Sequence, residues 1–451
     1  MLHKNVLVEF IVKEPIEIKT IELNGLKTYL QEKRSNEITD ELEGAAAIAL
    51  AEVRRDGIKS IQEYNQQRFG AWNPEIRAPK KLLADGFLEL DGSQRGAMLD
   101  FQNQLRIKAA AQAERLTPWN TQVYDLAIRY RYLPIDTVGI YSSPDYPTTV
   151  MNVAAMAKQA GVRRIVLATY PKNGALPPGI RAGAFLSGID DVFVMQGKRA
   201  IAALATGLDD NGQEIVPRAN MICGPGGPEV DATKRYVNFK FGTRIDLPAG
   251  PSEVGIIATA PYDPKRIALE MACQCEHGSS SSAFWITDST EKVSEVFGYL
   301  DELVNSVKEE KQPYVRSALN QNSRIIRVES PEQARYACDL IAPELVVVFE
   351  DSSNGTRDKY SAFLRENPPS AGSICFGFSS ALGDYGAETC ITPTNGLAAC
   401  YSKLYVNDFL RQVPLENYSP RGLRNQRWIG EQLAGIEGLP LHAQASAYRG
   451  V

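Results

Sequence analysis

Short apolar stretches alternate with helical patterns along the chain from residue 137 onward. Residues 137–141 are almost continuously apolar and predict a buried strand, and residues 148–159 predict a helix that ends at Gly161. The alternation then repeats, with strands predicted at residues 164–169, 192–195, 221–223, 244–247, 254–258, 283–287, 324–328, 345–349 and 373–376, and helices at 199–205, 291–307 and 332–340. Short apolar strands separated by helices are typical of parallel α/β sheets, and the length of 451 residues favours two of them.

The two ends of the chain differ from this central pattern. Residues 1–30 alternate polar and apolar positions and predict a short arm or an edge strand. Helices are predicted at residues 36–65 and 92–115, before the alternation begins. From about residue 403 the pattern is helical and amphipathic with breaks at two prolines, so we predict a peripheral helical tail.

Composition and charge argue against several classes of function. The formal net charge is −5, and no basic block is interleaved with aromatic residues, which argues against a nucleic acid as the main partner. No apolar run approaches the roughly 20 residues that span a bilayer, and residues 1–13 do not resemble a signal peptide. The seven cysteines are scattered without paired spacing and indicate reduced thiols. We therefore expect a cytoplasmic enzyme without membrane or nucleic-acid partners.

One of the three histidines of the chain lies in the segment Met271–His277. A helical repeat precedes it, so Gln274 and His277, at positions i and i+3, would share one helix face. An amide oxygen beside an imidazole can hold a divalent metal such as zinc. Two such residues alone are more often an ordinary polar helix end, where the helix dipole favours a histidine.

Three other short segments contain candidate site residues. The loop at 248–253 has two prolines and a glycine, which fix a rigid connection at strand ends where α/β proteins bind ligands, although a simple tight turn explains it equally well. Asp384, in a turn bounded by glycines, offers a hard oxygen to a metal, but an isolated turn aspartate is more often solvated. His442 lies on a C-terminal helix, where a surface position is commoner than a ligand position.

A glycine cluster, Gly224, Gly226 and Gly227, follows the short strand predicted at 221–223. Such a loop can cradle a phosphate with its backbone N–H groups. Pro225 removes one of those donors, and the full dinucleotide-binding fingerprint is absent. By itself the cluster is a weak signal of nucleotide binding.

Taken together and in this order, these segments resemble the histidinol dehydrogenase family. The resemblance spans nearly the whole chain from about residue 40, and five motifs carry it: Ala249-Gly250-Pro251-Ser252-Glu253, Gln274-Cys275-Glu276-His277, Ala342-Pro343-Glu344, Gly383-Asp384-Tyr385 and Glu437-Gly438-Leu439-Pro440-Leu441-His442-Ala443. It implies two incomplete Rossmann-like domains with parallel sheets, a small N-terminal arm, a helical C-terminal tail and an intertwined dimer. The expected division is an arm (1–30), domain A with the metal site (31–136 plus 254–402), a nucleotide-type domain B (137–253) and a tail that reaches the partner subunit (403–451).

The resemblance also implies roles for particular residues. The expected zinc ligands are Gln274, His277, Asp384 and, supplied across the dimer, His442. The residues expected to contact substrate are Ser252 and Glu437, and those expected to act in catalysis are Glu344 and Tyr385. The residues on the cofactor side are Tyr141, Arg199, Gly224, Gly226 and Gly227. We therefore expect a homodimer with shared active sites that acts on a small molecule.

The chain departs from the family pattern both at the expected catalytic and substrate residues and at the expected cofactor residues. Leu345 stands where the family has a catalytic histidine, and leucine cannot accept a proton. The segment 388–392 is a residue shorter than in the family and lacks its second substrate-site histidine. On the cofactor side, Ser142-Ser143-Pro144 replaces Pro-Gly-Gly, Arg199 replaces a glutamine and Gly227 replaces an asparagine. Together these changes remove polar NAD contacts and room for backbone approach.

Three interpretations remain open from the sequence. The first is zinc-dependent, NAD-dependent oxidation of an alcohol or aldehyde on a small polar substrate other than histidinol. The second is zinc Lewis-acid chemistry without NAD, such as an isomerase, epimerase, cyclase or lyase, with Glu344 as acid and base and Tyr385 assisting. The third is a binding protein that retains the metal without catalysis. Zinc is expected in the first two, and NAD binding is left open.

Overall fold

A computed structural model of the chain describes residues 15–34, 39–70, 75–248, 250–350, 359–377, 379–386 and 391–448. Part of the expected arm, Ala249 and residues 387–390 of the shortened segment lie outside the described residues. Within the described ranges the fold is α/β and is built on two parallel sheets with helices at the C-terminal end, which confirms the fold class expected from the sequence.

The larger parallel sheet has six strands among the described residues. Their order across the sheet is β1 (Thr20–Glu22), β13 (Arg324–Arg327), β12 (Ser282–Thr287), β11 (Glu253–Ile257), β14 (Leu345–Val348) and β15 (Ser373–Phe376). The central strands β11, β12 and β14 are buried along their whole length, because helices cover both faces of the sheet. The helices of this part of the chain are α1 (Leu23–Arg34), α10 (Pro264–Cys275), α11 (Val293–Ser306), α12 (Gln312–Ser317), α13 (Pro331–Ile341), α14 (Lys359–Glu366) and α15 (Ser380–Tyr385), with a π turn at Ala318–Asn322.

The smaller parallel sheet has five strands among the described residues. Their order is β10 (Arg244–Ile245), β9 (Met221–Cys223), β4 (Thr137–Tyr141), β5 (Arg164–Thr169) and β6 (Asp191–Val194). The helices around it are α2 (Asp40–Asp56), α3 (Ile58–Phe69), α4 (Lys80–Glu89), α5 (Gly92–Glu114), α6 (Pro147–Ala160), α7 (Pro178–Leu186), α8 (Gly197–Thr206) and α9 (Pro228–Phe241). The connection from α8 to β9 includes a hairpin of β7 (Leu208–Asp210) and β8 (Gln213–Val216).

The helices between residues 40 and 114 pack on the five-stranded sheet, whereas the sequence grouped residues 31–136 with the metal-site domain. Leu50 and Val53 of α2 join one apolar cluster with Ile201 of α8. Phe101 and Leu105 of α5 pack on the neighbouring helix α6. Periodicity shows that a helix has an apolar face, but it does not show which sheet that face covers.

The described part of the expected arm is tightly packed. β1 is an edge strand of the six-stranded sheet and pairs with β13, as the polar–apolar alternation allowed. Helix α1 follows it, and its Leu26 and Leu30 are buried in a core cluster with Phe284 of β12. Of the two possibilities left open for residues 1–30, a short arm or an edge strand, the described residues 20–22 form an edge strand, and the leucines of α1 at i and i+4 form a core-facing stripe.

The C-terminal part begins with a strand that the sequence did not predict. β16 (Leu410–Tyr418) pairs antiparallel with β3 (Leu126–Pro134), which also pairs with β2 (Trp119–Val123). Pro414 is tolerated because β16 is an edge strand in this three-stranded sheet. The helical tail follows as α16 (Pro420–Ile436) and α17 (Pro440–Tyr448), and short 3₁₀ turns lie at Leu397–Ala399 and Val406–Phe409. None of the helices in the described residues is long and apolar enough to cross a membrane.

Candidate active site

A cleft of about 470 Å³ lies between the two parallel sheets. On one side it is lined by residues that follow the strands of the five-stranded sheet, among them Tyr141 and Gly224. On the other side it is lined by Ser252 and Glu344, which directly precede strands β11 and β14 of the six-stranded sheet. The carboxyl ends of the smaller sheet, where parallel sheets present ligand sites, thus face the amino ends of the larger one.

Helix α10 carries Gln274, and His277 follows its last turn. His277 lines the cleft, whereas Gln274 is not among the lining residues and contacts one of them, Glu344. The side chain of Asp263 caps the first turn of α10 by accepting a hydrogen bond from the Lys265 amide at 3.0 Å, and Ile267 and Met271, on the same side of the helix as Gln274, are buried in the core. Gln274 is 2% exposed, and its amide oxygen accepts no hydrogen bond from any described residue. A buried acceptor without a hydrogen-bond donor destabilises the fold unless a bound group contacts it. The Gln274 oxygen therefore marks a point where a ligand is expected.

Asp384 lies opposite His277, on the short helix α15. Its Oδ2 atom is 4.0 Å from Nε2 of His277. Burial raises the pKa of the Asp384 carboxyl, and the neighbouring His277 acts against this rise. Tyr385 follows and lines the cleft with a side chain that is 67% exposed. An imidazole nitrogen and a carboxylate oxygen at this separation, near a buried amide oxygen, match the donor types that zinc accepts.

Glu344 is the buried acid of the cleft. The Thr392 hydroxyl donates a hydrogen bond to its Oε1, and Nε2 of Gln274 donates to its Oε2 at 3.5 Å. Burial raises the pKa of the Glu344 carboxyl to about 7, against the opposing effect of the Thr392 hydrogen bond. A carboxyl with this pKa can both take up and release a proton near neutral pH.

Leu345, next to this acid, faces away from the cleft. Its side chain is 5% exposed and belongs to the core cluster that contains Ile267 and Met271 of α10. Successive residues of a strand point to opposite sides, so the cleft receives Glu344 and the core receives Leu345. An imidazole at residue 345 of this backbone would lie in an apolar environment.

On the cofactor side, a buried ion pair holds the glycine loop in place. Nζ of Lys234 is paired with Asp246 and also donates to the carbonyl oxygen of Gly224 at 3.0 Å, while the Gly224 amide donates to Asp246 at 2.6 Å. Gly224 has φ of 123°, and a Cβ atom there would lie 1.8 Å from the carbonyl oxygen of Tyr141, so only glycine fits. A Cβ atom at Gly227 would meet nothing within 4 Å, whereas at Gly226 it would overlap Val230.

Tyr141 and Arg199, two of the expected cofactor-side residues, are both occupied by contacts within the chain. The Tyr141 hydroxyl accepts a hydrogen bond from the Gly197 amide at 3.1 Å. Arg199 pairs with Glu52, and its guanidinium carbon lies 4.6 Å from the ring centre of Tyr64. Tyr141 lines the cleft, and Arg199 is not among the residues that line it.

Glu437 and His442 lie apart from this cleft within their own chain. Glu437 follows the last turn of α16, and His442 is on α17; both are exposed. Neither is among the residues that line the cleft. In the described residues of one chain, no group of three His, Cys, Asp or Glu side chains is arranged to hold a metal ion. The expectation that His442 joins His277 across a dimer stays a prediction.

The sequence did not single out the residues that support the expected site. Thr392, Lys234 and Glu270 make buried contacts to residues that are 48, 12 and 110 positions away in the chain. Polar residues of this kind carry no local periodic signal, and only the tertiary packing shows their partners. Thr392 lies in the shortened segment, which was the one indication available in the sequence.

The comparison with known proteins agrees with this arrangement over almost the whole chain. The family model described as histidinol dehydrogenase matches residues 32–450. The chain belongs to the histidinol dehydrogenase family. A histidinol dehydrogenase of Methylococcus capsulatus is 32% identical over 408 residues, which cover 88% of this chain and 89% of that protein. Another, of Methanothermobacter thermautotrophicus, is 29% identical over 416 residues, covering 90% and 93%.

The fold comparison gives the same family. The crystal structure of histidinol dehydrogenase from Elizabethkingia anophelis aligns with a TM-score of 0.83 and 26% sequence identity, and covers 96% of this chain and 98% of that one. The histidinol dehydrogenase family is a family of oxidoreductases that generally use zinc and NAD. Family membership thus indicates an oxidoreductase.

Proposed function

We propose that this chain is a zinc-dependent oxidoreductase that oxidises an alcohol or aldehyde group on a small polar substrate other than histidinol, with NAD as the acceptor. One observation carries the proposal. Glu344, a buried acid whose pKa lies near neutrality, shares one cleft with the facing pair of His277 and Asp384. Proton removal beside a metal site is the chemistry that such an arrangement supports.

The residues present fit a zinc ion. The Gln274 amide oxygen is buried with no hydrogen-bond donor among the described residues, and His277 and Asp384 lie 4.0 Å apart. With His442 from a second subunit they would give four ligands of the types that zinc takes. When bound, zinc supplies a Lewis acid that polarises a substrate oxygen.

Glu344 is the residue that moves the proton. Oε1 accepts a close hydrogen bond from the Thr392 hydroxyl, whereas the donor to Oε2, Gln274, is 3.5 Å away, so we assign the proton from a substrate hydroxyl to Oε2. Gln274 approaches Oε2 at 3.5 Å and orients the carboxyl. With leucine at 345, Glu344 has no neighbouring imidazole on its strand to share this task. Tyr385, at the mouth of the cleft, would cover the bound substrate.

The lining of the cleft indicates a small polar substrate. Hydroxyl groups from serine, threonine and tyrosine are common in it, and among its described residues there is no arginine. Its lysine, Lys234, is already committed to Asp246. Ser252 lines the cleft and Glu437 would reach it from the second subunit, and both would bind polar groups of the substrate. Histidinol is disfavoured because neither of the family's further histidines is present to contact its ring.

A homodimer is part of this proposal. The C-terminal apolar face, formed by Trp428, Leu433, Ile436, Leu441 and Tyr448 on α16 and α17, has side chains that are 54–85% exposed. Contiguous apolar patches of this kind on a single chain mark interaction surfaces. Covering the face with a second copy would bury it and would bring α17, with His442, to the metal site of the partner.

A second function, zinc Lewis-acid chemistry without NAD, is favoured by one specific observation. Arg199 contacts Glu52 and Tyr64 and does not line the cleft, so its side chain makes no contact there that could hold a nicotinamide dinucleotide. The open space beside Gly227 still leaves room at the switch point of the five-stranded sheet. The cleft thus has room for a dinucleotide, but the side chain of Arg199 does not contact that space.

Calorimetric titration of the zinc-loaded protein with NAD separates the two functions. Oxidation requires saturable binding at one NAD per subunit, and a panel of small polar alcohols should then reduce NAD. If the zinc-loaded protein gives no heat of binding up to millimolar NAD, the NAD-dependent oxidation is rejected. The NAD-independent chemistry of an isomerase, epimerase, cyclase or lyase then remains. Oxidation of histidinol to histidine at a rate typical of the family would reject the altered substrate.

A further inference from the structure

A buried carboxylate links the two helices that carry the expected metal ligands. Glu270 on α10 is 2% exposed, and its Oε2 accepts hydrogen bonds from the Ser380 amide at 2.9 Å and the Ser380 hydroxyl at 2.6 Å. Ser380 is the first residue of α15. Hydrogen bonds to an ionised carboxylate are stronger than neutral ones, and burial shields these from water.

Glu270 and Ser380 lie near the expected metal ligands in their own segments of the chain. Glu270 and Gln274 are at positions i and i+4 of α10 and share a face of it. His277 follows two residues after the helix ends, and its amide donates to the Gln274 carbonyl at 3.3 Å. Ser380 and Asp384 are at i and i+4 of α15 and share a face of that helix. The contact between Glu270 and Ser380 therefore lies seven residues before His277 in the chain and about one helical turn before Asp384 on α15.

Helix α15 needs such a link to have a defined position. It has six residues, and isolated helices of that length are unstable in water. The hydroxyl of Ser379 caps it internally by accepting from the Ala381 amide at 3.3 Å, but this cap does not fix the helix against α10. Glu270 and Cys273 of α10 both hydrogen-bond Ser380, and Glu270 makes this contact through its carboxylate.

We propose that Glu270 is a positioning residue for the metal site: through Ser380 it sets the place of α15 so that Asp384 faces His277. The inference rests on the metal site of the proposed function and adds to it a residue that would not touch the ion. Partners that orient metal ligands typically change metal affinity 10–100-fold when they are removed, and the Glu270 contact is expected to have an effect in that range.

The test compares Glu270→Gln, Glu270→Ala and Ser380→Ala with the wild-type protein. The probe is the metal alone: zinc affinity by competition with a chelator, and the absorption bands of the cobalt-substituted protein, which report ligand geometry. Glu270→Gln and Glu270→Ala are expected to bind zinc roughly 10–100-fold more weakly and to shift the cobalt bands. Ser380→Ala keeps the amide donor and is expected to show a smaller loss in the same direction.

Two control variants separate positioning from a general effect on the fold. Glu302→Gln removes an exposed carboxylate from the neighbouring helix α11 and should leave zinc affinity unchanged. Ser379→Ala weakens α15 itself without touching Glu270. An affinity loss in Ser379→Ala as large as in Glu270→Gln, with unshifted cobalt bands in both, would show that only the stability of the helix matters and would overturn the proposal.

His277→Ala and Asp384→Asn distinguish a failure of this proposal from a failure of the proposed function. If these two variants lose zinc and the folded Glu270→Gln protein binds it within twofold of wild type, the positioning role is wrong and the metal site stands. If His277→Ala and Asp384→Asn bind zinc as the wild type does, both proposals fail. Loss of affinity in Glu270→Gln at an unchanged melting temperature supports the positioning role.

Discussion

Glu344 combines burial with hydrogen-bond donors at both of its oxygens, and its pKa of about 7 follows mainly from burial. If it is the group that moves the proton, Glu344→Gln keeps the shape of the side chain and removes the acceptor. We expect turnover to fall at least about 1,000-fold, because general acid–base catalysis contributes roughly 100- to 10,000-fold. Activity above a tenth of the wild-type rate would contradict the assignment.

The raised pKa of Glu344 also makes the stability of the wild-type protein depend on pH. The folded pKa of about 7 lies above the ordinary value of 4.5, so folding favours the protonated acid. The stabilising contribution is fully present below pH 4.5 and is lost as the pH rises through 7. The uncharged Glu344→Gln protein should therefore be at least as stable as the wild type above pH 7, which thermal unfolding at pH 5 and pH 8 can check.

Thr392 stabilises the ionised form of Glu344, so removing its hydroxyl should raise the pKa of Glu344 further. For an enzyme whose base is ionised Glu344, the rising limb of kcat/KM against pH should move upward by about one pH unit in Thr392→Val. Thr394→Val is the matched control, because its hydroxyl lines the cleft and accepts or donates no hydrogen bond among the described residues. Equal pH profiles for the two variants would reject this role of Thr392.

Leu345→His is not expected to restore the family's chemistry. The side chain at 345 points into the core beside Ile267 and Met271, where an imidazole has no polar partner in the cluster. The variant should lose roughly 1–3 kcal/mol of stability and gain no histidinol oxidation. A chemical denaturation curve and an NAD-reduction assay measure the two effects, and a stable variant that oxidises histidinol would show that the strand can turn residue 345 toward the cleft.

At the residue scale, short sequence motifs named several of the residues that line the cleft. Ser252, His277, Glu344, Asp384 and Tyr385 all line it, because each lies in a rigid turn or at an element end that a motif can mark. Thr392, Lys234 and Glu270 could not be assigned, since their roles depend on partners that are distant along the chain. Arg199 was expected near the cofactor and instead packs on Tyr64, which no local pattern indicates.

At the element scale, one buried ion pair joins the loop after β9 to the loop after β10. Lys234 and Asp246 have side chains that are 1% and 0% exposed. Lys234→Met leaves Asp246 charged and buried without its partner, and should cost roughly 3–5 kcal/mol of unfolding free energy. Lys198→Met removes a pair with the exposed Glu229 and should cost less than about 1 kcal/mol. Similar denaturation midpoints for the two variants would contradict the role of the buried pair.

Elements were predictable where burial is complete on both faces. The strands β4, β11 and β12 are continuously buried and read as apolar runs, so the sequence located them to within a residue or two. β16 was missed because most of its residues are exposed and it contains a proline, which leaves no clear alternation. The sheet that each flanking helix covers is a long-range property, so the sequence pattern could not show that the helices of residues 40–114 pack on the five-stranded sheet.

At the scale of the whole molecule, the C-terminal apolar face is the feature that a single chain leaves unexplained. If a second copy covers it, Ile436→Asp, at a side chain that is 82% exposed, should convert a dimer to a monomer in analytical ultracentrifugation. Zinc affinity should fall in the same variant, because His442 would no longer be delivered. Phe239→Asp, on α9 and 89% exposed, is the control and should leave both unchanged. A dimer that persists in Ile436→Asp would place the interface elsewhere.

The side chain at 274 has different neighbours at its two ends: its nitrogen approaches the acid at 344, and its oxygen has no donor among the described residues. A glutamate there would set a second negative charge against Glu344 and would push the proton affinity of both upward. A histidine would lack the two-atom fork that reaches both sides. If Gln274 is a metal ligand and Glu344 the proton acceptor, as proposed, an amide at 274 lets the two lie side by side without charge repulsion. A change of glutamine to glutamate would then alter the pKa of Glu344 as well as the binding of the ion.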